Sequence, residues 1–180
     1  RYYFIRTIGI GADLNFNLVH ITETLNADLA NNVGNLASRV CALVEKYHQG
    51  NLNKINVQTP ALSVDATLAK YQVGFEHYKL SEALRATIDY STSINQYLHN
   101  TAPWKQLDAK IRQDTLWQAC NAIESLAILL SPFTPDISTK LLAALGVSAR
   151  PALQNLAVEQ SVFKVSAKSK IFPRIENRPQ

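Results

Sequence analysis

Apolar residues recur at Leu18, Ile21, Leu25, Leu29, Val33, Leu36, Val40, Leu43 and Tyr47. Steps of three and four put such residues on one stripe of a helix. Asn17 stands where an N-cap is needed, and Phe16 before it can staple onto Ile21. Gly50 ends the run. The pattern predicts one helix from Asn17 to Gly50, about 30 residues and roughly 45 Å long. Gly34 lies inside it, where glycine costs about 1 kcal/mol relative to alanine. Close approach of another backbone, helix or RNA, accounts for it, and helix–helix contact is the favoured reading. Residues 50–61 are polar, hold Pro60 and read as a loop. A second helix runs from about Ser63 to Tyr78 with Leu68, Tyr71, Phe75 and Tyr78 inward. A third runs from about Ser81 to Leu98 with Leu84, Ile88, Ile94 and Leu98 inward, and Asn100 to Pro103 interrupts the pattern. A fourth, Asp108 to Leu130, is apolar on most sides near its end, as suits the centre of a bundle. Ser131-Pro132-Phe133 closes it. Thr134 caps a fifth helix with Pro135 at its first position, and Gly146 ends it. The tail to Gln180 is irregular, with Val162-Phe163-Lys164-Val165 and Ile171-Phe172 able to pack along the bundle. The fold predicted is all-α, an antiparallel bundle of about five helices.

Residues 1–16 stand apart. Tyr2, Phe4 and Ile8 make a short extended or helical start that Gly9 and Gly11 break. This stretch reads as the end of a preceding domain and its linker, and residues 17–180 as the helical domain. With no initiator methionine, Arg1-Tyr2-Tyr3-Phe4-Ile5-Arg6 reads as the middle of a longer protein. No apolar run reaches the length of a membrane span, and no secretory signal opens the chain. At 180 residues and 47% hydrophobic content, a packed core is expected. The net charge of +4 and pI near 9.1 are compatible with RNA without requiring it. Lys164, Lys168, Lys170, Arg174 and Arg178 face only Glu176 in the tail, which is either solvated or in contact with phosphates. Cys41 and Cys120 lie far apart on apolar helical stretches and read as buried thiols in a reducing compartment, the cytoplasm. Metal-ligand spacing is absent.

Polar residues on the first helix carry the candidate chemistry. Asp28, Asn31, Asn32, Asn35 and Arg39 fall at steps of three and four beside the apolar stripe. They can satisfy one another, with Asp28 holding Asn31 and Asn32, and from spacing alone that structural reading outweighs a functional one. Asn35 and Arg39 nevertheless set a carboxamide and a guanidinium one turn apart on one face. Trp104 follows Pro103 at a helix break and precedes Lys105. It is either core or a platform on which a base stacks; spacing leaves both open. Trp117, on the apolar fourth helix, reads as core. A flat ring and two directional hydrogen-bonding groups are what catching one unpaired base requires. His20, His48, His77 and His99 share no spacing, no glycine-rich nucleotide loop is present, and no active site emerges.

The stretch from Asn26 to Arg39 resembles the first anticodon-domain helix of the methionyl-tRNA synthetase family. Ala102-Pro103-Trp104, then Leu130-Ser131-Pro132-Phe133-Thr134-Pro135, then Ile171-Phe172-Pro173-Arg174-Ile175 resemble later family markers in the same order. Arg1-Tyr2-Tyr3 and the stretch from Asp13 to Asn17 resemble the segment leading from the catalytic half. The resemblance spans nearly the whole chain. It implies the helical anticodon-binding domain of a class Ia aminoacyl-tRNA synthetase, reading the CAU anticodon of methionine tRNA. It implies that Trp104 stacks on the wobble cytosine, that Pro103 shapes the turn, and that Asn35 and Arg39 bond the base's polar edge. The full protein would be a methionine–tRNA ligase using ATP with magnesium. The family's two ATP-site motifs and its zinc-binding insertion are absent from these residues, so this stretch implies no cofactor and no catalytic residue of its own, and needs an N-terminal catalytic domain as partner. Two rival readings are the anticodon domain of a leucine, isoleucine, valine or cysteine synthetase, and a helical protein-interaction module with no RNA role.

Overall fold

In the computed structural model, which describes residues 1–7, 17–55, 62–148, 151–157, 160–167 and 171–176, Asn17 caps the first long helical run. Its Oδ1 accepts from the amides of Val19 at 2.8 Å and His20 at 3.3 Å. The run is not one α-helix. It is α2 (Leu18–Leu25), a π-helical segment (Asn26–Gly34) and α3 (Asn35–His48). The wider turns have a cause in the sequence. Ile21, Leu25, Leu29 and Val33 follow one another at steps of four, and each such step overshoots a 3.6-residue turn by about 40°. A π segment takes up that drift, and Leu29, Val33, Leu36 and Val40 are all buried.

A short helix, α1 (Tyr2–Thr7), precedes this run and packs on the bundle through Tyr2 and Tyr3, while Phe4 is exposed. α4 (Asp65–Glu76), α5 (Leu80–Thr101), α6 (Ala109–Leu130) and α7 (Pro135–Ala144) follow. Asp108 caps α6, accepting from the amides of Lys110 and Ile111. Thr134 precedes Pro135 as expected, but its hydroxyl donates back to the Leu130 carbonyl rather than capping α7. The inward set of α4 also needs correction. Tyr71 is buried and Leu68 half-buried, but the chain turns at Tyr78 with a φ of 57°, leaving that ring 77% exposed. Gly146, at φ +73°, lies against the Lys164 carbonyl, where a Cβ would sit 2.4 Å from the oxygen.

Two strands were not expected. β1 (Asn51–Asn53), within the predicted loop, pairs antiparallel with β2 (Val162–Lys164), within the predicted irregular tail, setting Leu52 opposite Phe163. Both of those side chains are buried, as are Val165 and Ile171, so the tail packs along the bundle. Cys41 and Cys120 are buried free thiols. The Phe16 staple, the Ile8, Gly9 and Gly11 start, Pro60, Lys168, Lys170 and Arg178 lie outside the described residues. No helix among the described residues is long and apolar enough to cross a membrane.

α6 is the central column, buried from Thr115 to Leu130 except at Asn121. That burial encloses Glu124, only 4% exposed. Gln160 donates to its Oε1 at 2.9 Å, while Oε2 has no partner among the described residues. Burial pushes the carboxyl above its ordinary range, and the Gln160 bond opposes the shift. An acid whose folded pKa is raised gives stability that is full below its unfolded pKa and is lost as pH rises through the folded value. Glu124→Gln is therefore expected to gain on the parent by on the order of 1 kcal/mol between pH 4 and pH 8. Denaturant titrations across that range check this; a difference that stays constant with pH would show that the charge is not its source.

Candidate nucleic-acid interface

α5 ends on a strained residue. Ala102 has a φ of 40°, a left-handed conformation costly for any residue with a Cβ. Its amide still donates to the Leu98 carbonyl at 3.0 Å, and Lys105 N–H closes the next turn on the Ala102 carbonyl at 2.8 Å. Pro103 is buried between them and fixes its own φ. The indole of Trp104 stands 40% exposed at this corner, with no ring contact among the described residues. Leu107, 95% exposed, and Ile111 extend the apolar corner beside it. Trp117 is the opposite case. It is 4% exposed, its ring packs on Phe163, and the Lys54 ammonium lies 5.3 Å from the ring centroid.

Asn35 and Arg39 occupy the first turns of α3, both exposed. Neither side chain has a hydrogen-bond or ion-pair partner among the described residues. The local network expected for their neighbours does not form. Asp28 holds neither Asn31 nor Asn32. It accepts from Tyr2 Oη at 2.7 Å and Arg6 Nε at 2.9 Å, both on α1. Burial and that carboxylate push the Tyr2 phenol up. Asn32 instead reaches α5, donating to Thr92 Oγ1 at 3.0 Å and accepting from Asn95 Nδ2 at 2.8 Å. The π geometry ends at the site itself, since the Asn35 amide donates to the Ala30 carbonyl five residues back.

These bonds tie the π-helical segment to α5. The end of α3 meets the start of α6, with the Arg112 guanidinium over the Tyr47 ring. The short 102–108 connection brings the end of α5 to the same place, so α3 and α5 point the same way. Asn32 is level with Asn95, where the two elements are hydrogen-bonded. Asn35 and Arg39 stand on the opening turns of α3 and Pro103 and Trp104 on the turn after α5, and no hydrogen bond joins the two pairs among the described residues.

On the other side of Asn35 lies a groove of about 390 Å³, walled by Asn31, Ser38, Phe172 and Arg174. It joins a second groove of about 470 Å³ through Asn31 and Arg174. Asn26 anchors the tail here, donating to the Ile175 carbonyl at 2.9 Å and accepting from its amide at 2.8 Å. Gly34 forms the floor, where a Cβ would lie 3.0 Å from the Leu29 carbonyl oxygen and at an ordinary 3.7 Å from the Phe172 carbonyl oxygen. The tight approach at this glycine is therefore the carbonyl of its own π-helical segment, with the tail in normal contact, and not a second helix. Asn31 and the tail wall were not in the expected quartet. Asn31 was signalled by its one-turn spacing from Asn35, and the tail wall by the Ile171-Phe172-Pro173-Arg174-Ile175 marker. The helix break at Ala102 was signalled by Pro103 after it, but its left-handed backbone was not.

A family model described as the anticodon binding domain of methionyl tRNA ligase matches residues 49–176. A second, for class I tRNA synthetases of the methionine type, matches residues 1–41. The methionine–tRNA ligase of Streptomyces coelicolor is 32% identical, aligning with 99% of this chain and 37% of its own length. That of Synechocystis is 34% identical over 81% of this chain and 29% of its own. The crystal structure of the apo methionyl-tRNA synthetase of Mycobacterium tuberculosis superposes with a TM-score of 0.89 at 25% identity, covering 98% of this chain and 39% of that one. The same enzyme bound by methionyl-adenylate superposes at 0.86. The chain thus spans about a third of the length of these relatives.

Proposed function

The chain belongs to the methionyl-tRNA ligase family, and we propose that its bundle reads the CAU anticodon of methionine tRNA. The observation that carries this reading is the exposed Trp104 indole on a rigid turn, together with two exposed and unpartnered groups, Asn35 and Arg39, on α3. Trp104 stacks on the wobble cytosine, and Pro103 holds the turn that presents the ring. Asn35 takes the base's amino hydrogen on its carboxamide oxygen, while Arg39 donates to the ring acceptors. Lys105 supplies phosphate attraction that does not depend on sequence.

The whole protein, in this reading, is a cytoplasmic ligase that joins methionine to its tRNA using ATP with magnesium. That chemistry belongs to a catalytic half preceding these residues. Residues 1–16 form the connection to it, and residues 17–180 the reading domain. One relative is bound by methionyl-adenylate, which is what ATP and methionine together would yield. No residue of this chain is assigned to that step.

Titration with CAU and UAU anticodon stem-loops at fixed low salt tests the reading. The expected result is a CAU preference of about tenfold or more, since a uracil leaves polar groups of the site unpaired. Affinity for both should fall as salt rises. Equal binding of the two loops would remove the wobble assignment, and binding indifferent to salt would remove the phosphate contacts.

A further inference from the structure

We propose that Arg112 is a positioning residue that clamps the Trp104 turn to α3 and so sets the gap a base enters. The proposal rests on the anticodon reading above and adds a residue that neither stacks on nor bonds the base.

Arg112 stands in the first turn of α6 and touches both halves of the site. Its Nη1 donates to the Gln106 carbonyl at 2.6 Å, inside the turn that carries Trp104. Its guanidinium carbon lies 4.4 Å from the centroid of the Tyr47 ring. Tyr47 is on α3, eight residues and about two turns beyond Arg39. Gln106 is itself tied into the turn. Its amide donates to the Pro103 carbonyl at 3.4 Å, and its Oε1 accepts from the Asp108 amide at 3.1 Å. One planar side chain therefore connects the helix of Asn35 and Arg39 to the turn of Pro103 and Trp104.

What holds Arg112 is shape more than charge. No carboxylate among the described residues pairs with it, and its buried Nε has no hydrogen-bond partner among them. It is fixed by the face of a ring and by one carbonyl approached from the edge. A guanidinium can stack flat and donate sideways at once, whereas an ammonium cannot. This separates the clamp from a phosphate contact, for which lysine would serve.

The test labels the full chain with fluorotryptophan. Its two tryptophans give two fluorine resonances, and Trp104→Phe assigns the exposed one. Arg112→Gln and Arg112→Lys are each expected to shift the Trp104 resonance of the free protein while leaving that of Trp117. Both should weaken CAU stem-loop binding about tenfold, because a small misplacement of the ring spoils the stack. Tyr47→Leu, which breaks the other arm of the clamp, should do the same and keep the test available if an Arg112 variant fails to fold. Combining Tyr47→Leu with Arg112→Gln should add little further loss. An unmoved Trp104 resonance with parental binding in Arg112→Lys would overturn the clamp and make Arg112 a charge contact. If Trp104→Ala left CAU affinity intact, the anticodon reading would fall, whereas a Trp104 resonance moved by Arg112→Gln would still uphold the clamp.

Discussion

Trp104→Ala lowers the affinity of the CAU stem-loop by roughly 5- to 150-fold, the range that one base–aromatic stack is worth, and leaves the helical fold in place. The two parts of this expectation have separate causes. Affinity falls because the indole is the flat surface at the corner, standing exposed with no ring neighbour among the described residues. The fold survives because the ring stands outside the core cluster, so its truncation leaves the packing between the columns in place. The turn beneath it is held by other atoms: the buried Pro103, the Lys105 bond to the Ala102 carbonyl, and the Arg112 bond to Gln106. Circular dichroism together with a binding titration checks both parts. A variant that lost helicity along with affinity would make Trp104 a core residue and remove it from the interface. Trp117→Ala is the control with the opposite expectation, because its ring lies in the core against Phe163 and under Lys54.

The columns of this bundle were readable because their signals are local. Asn17 and Asp108 cap helices with their own side chains, and Pro135 opens one, so a few adjacent residues suffice. What escaped the sequence is long-range. Asp28 looked like a partner for Asn31 and Asn32 because helical spacing sees only neighbours. Its real partners, Tyr2 and Arg6, come from a helix more than twenty residues away. The β1–β2 pair joins three-residue strands more than a hundred residues apart, too short for alternation to register. The π segment left only the successive steps of four from Ile21 to Val33, which an ordinary amphipathic α-helix also accommodates. At the site, the residue types of Asn35, Arg39 and Trp104 were legible. What ties their helices together was not, because it rests on the Asn32 bonds to Thr92 and Asn95 and on Arg112 between Tyr47 and Gln106.

Arg39→Ala should collapse the discrimination between CAU and UAU more than Asn35→Ala does, although in the proposed reading both groups bond the same base edge. The difference lies in what each group is able to become. A carboxamide carries an acceptor and a donor and turns over to suit either base. Facing the amino group of cytosine, Asn35 presents oxygen; facing the uracil carbonyl, it presents nitrogen. A guanidinium has donors only and never reverses. Where cytosine offers the N3 lone pair, uracil carries an N3 hydrogen, and Arg39 then meets a donor with a donor. The penalty of such a buried mismatch is about 1–3 kcal/mol, which is roughly a 5- to 150-fold preference. Arg39→Ala should therefore weaken CAU binding, leave UAU binding nearly as it was, and bring the two within about threefold of each other. Asn35→Ala should weaken both loops while preserving most of the ratio. Paired titrations of the two variants with the two loops decide the matter. Equal loss for both loops in Arg39→Ala would reassign the guanidinium to phosphate attraction, and the ratio would then have to come from Asn35 and the shape of the Trp104 stack.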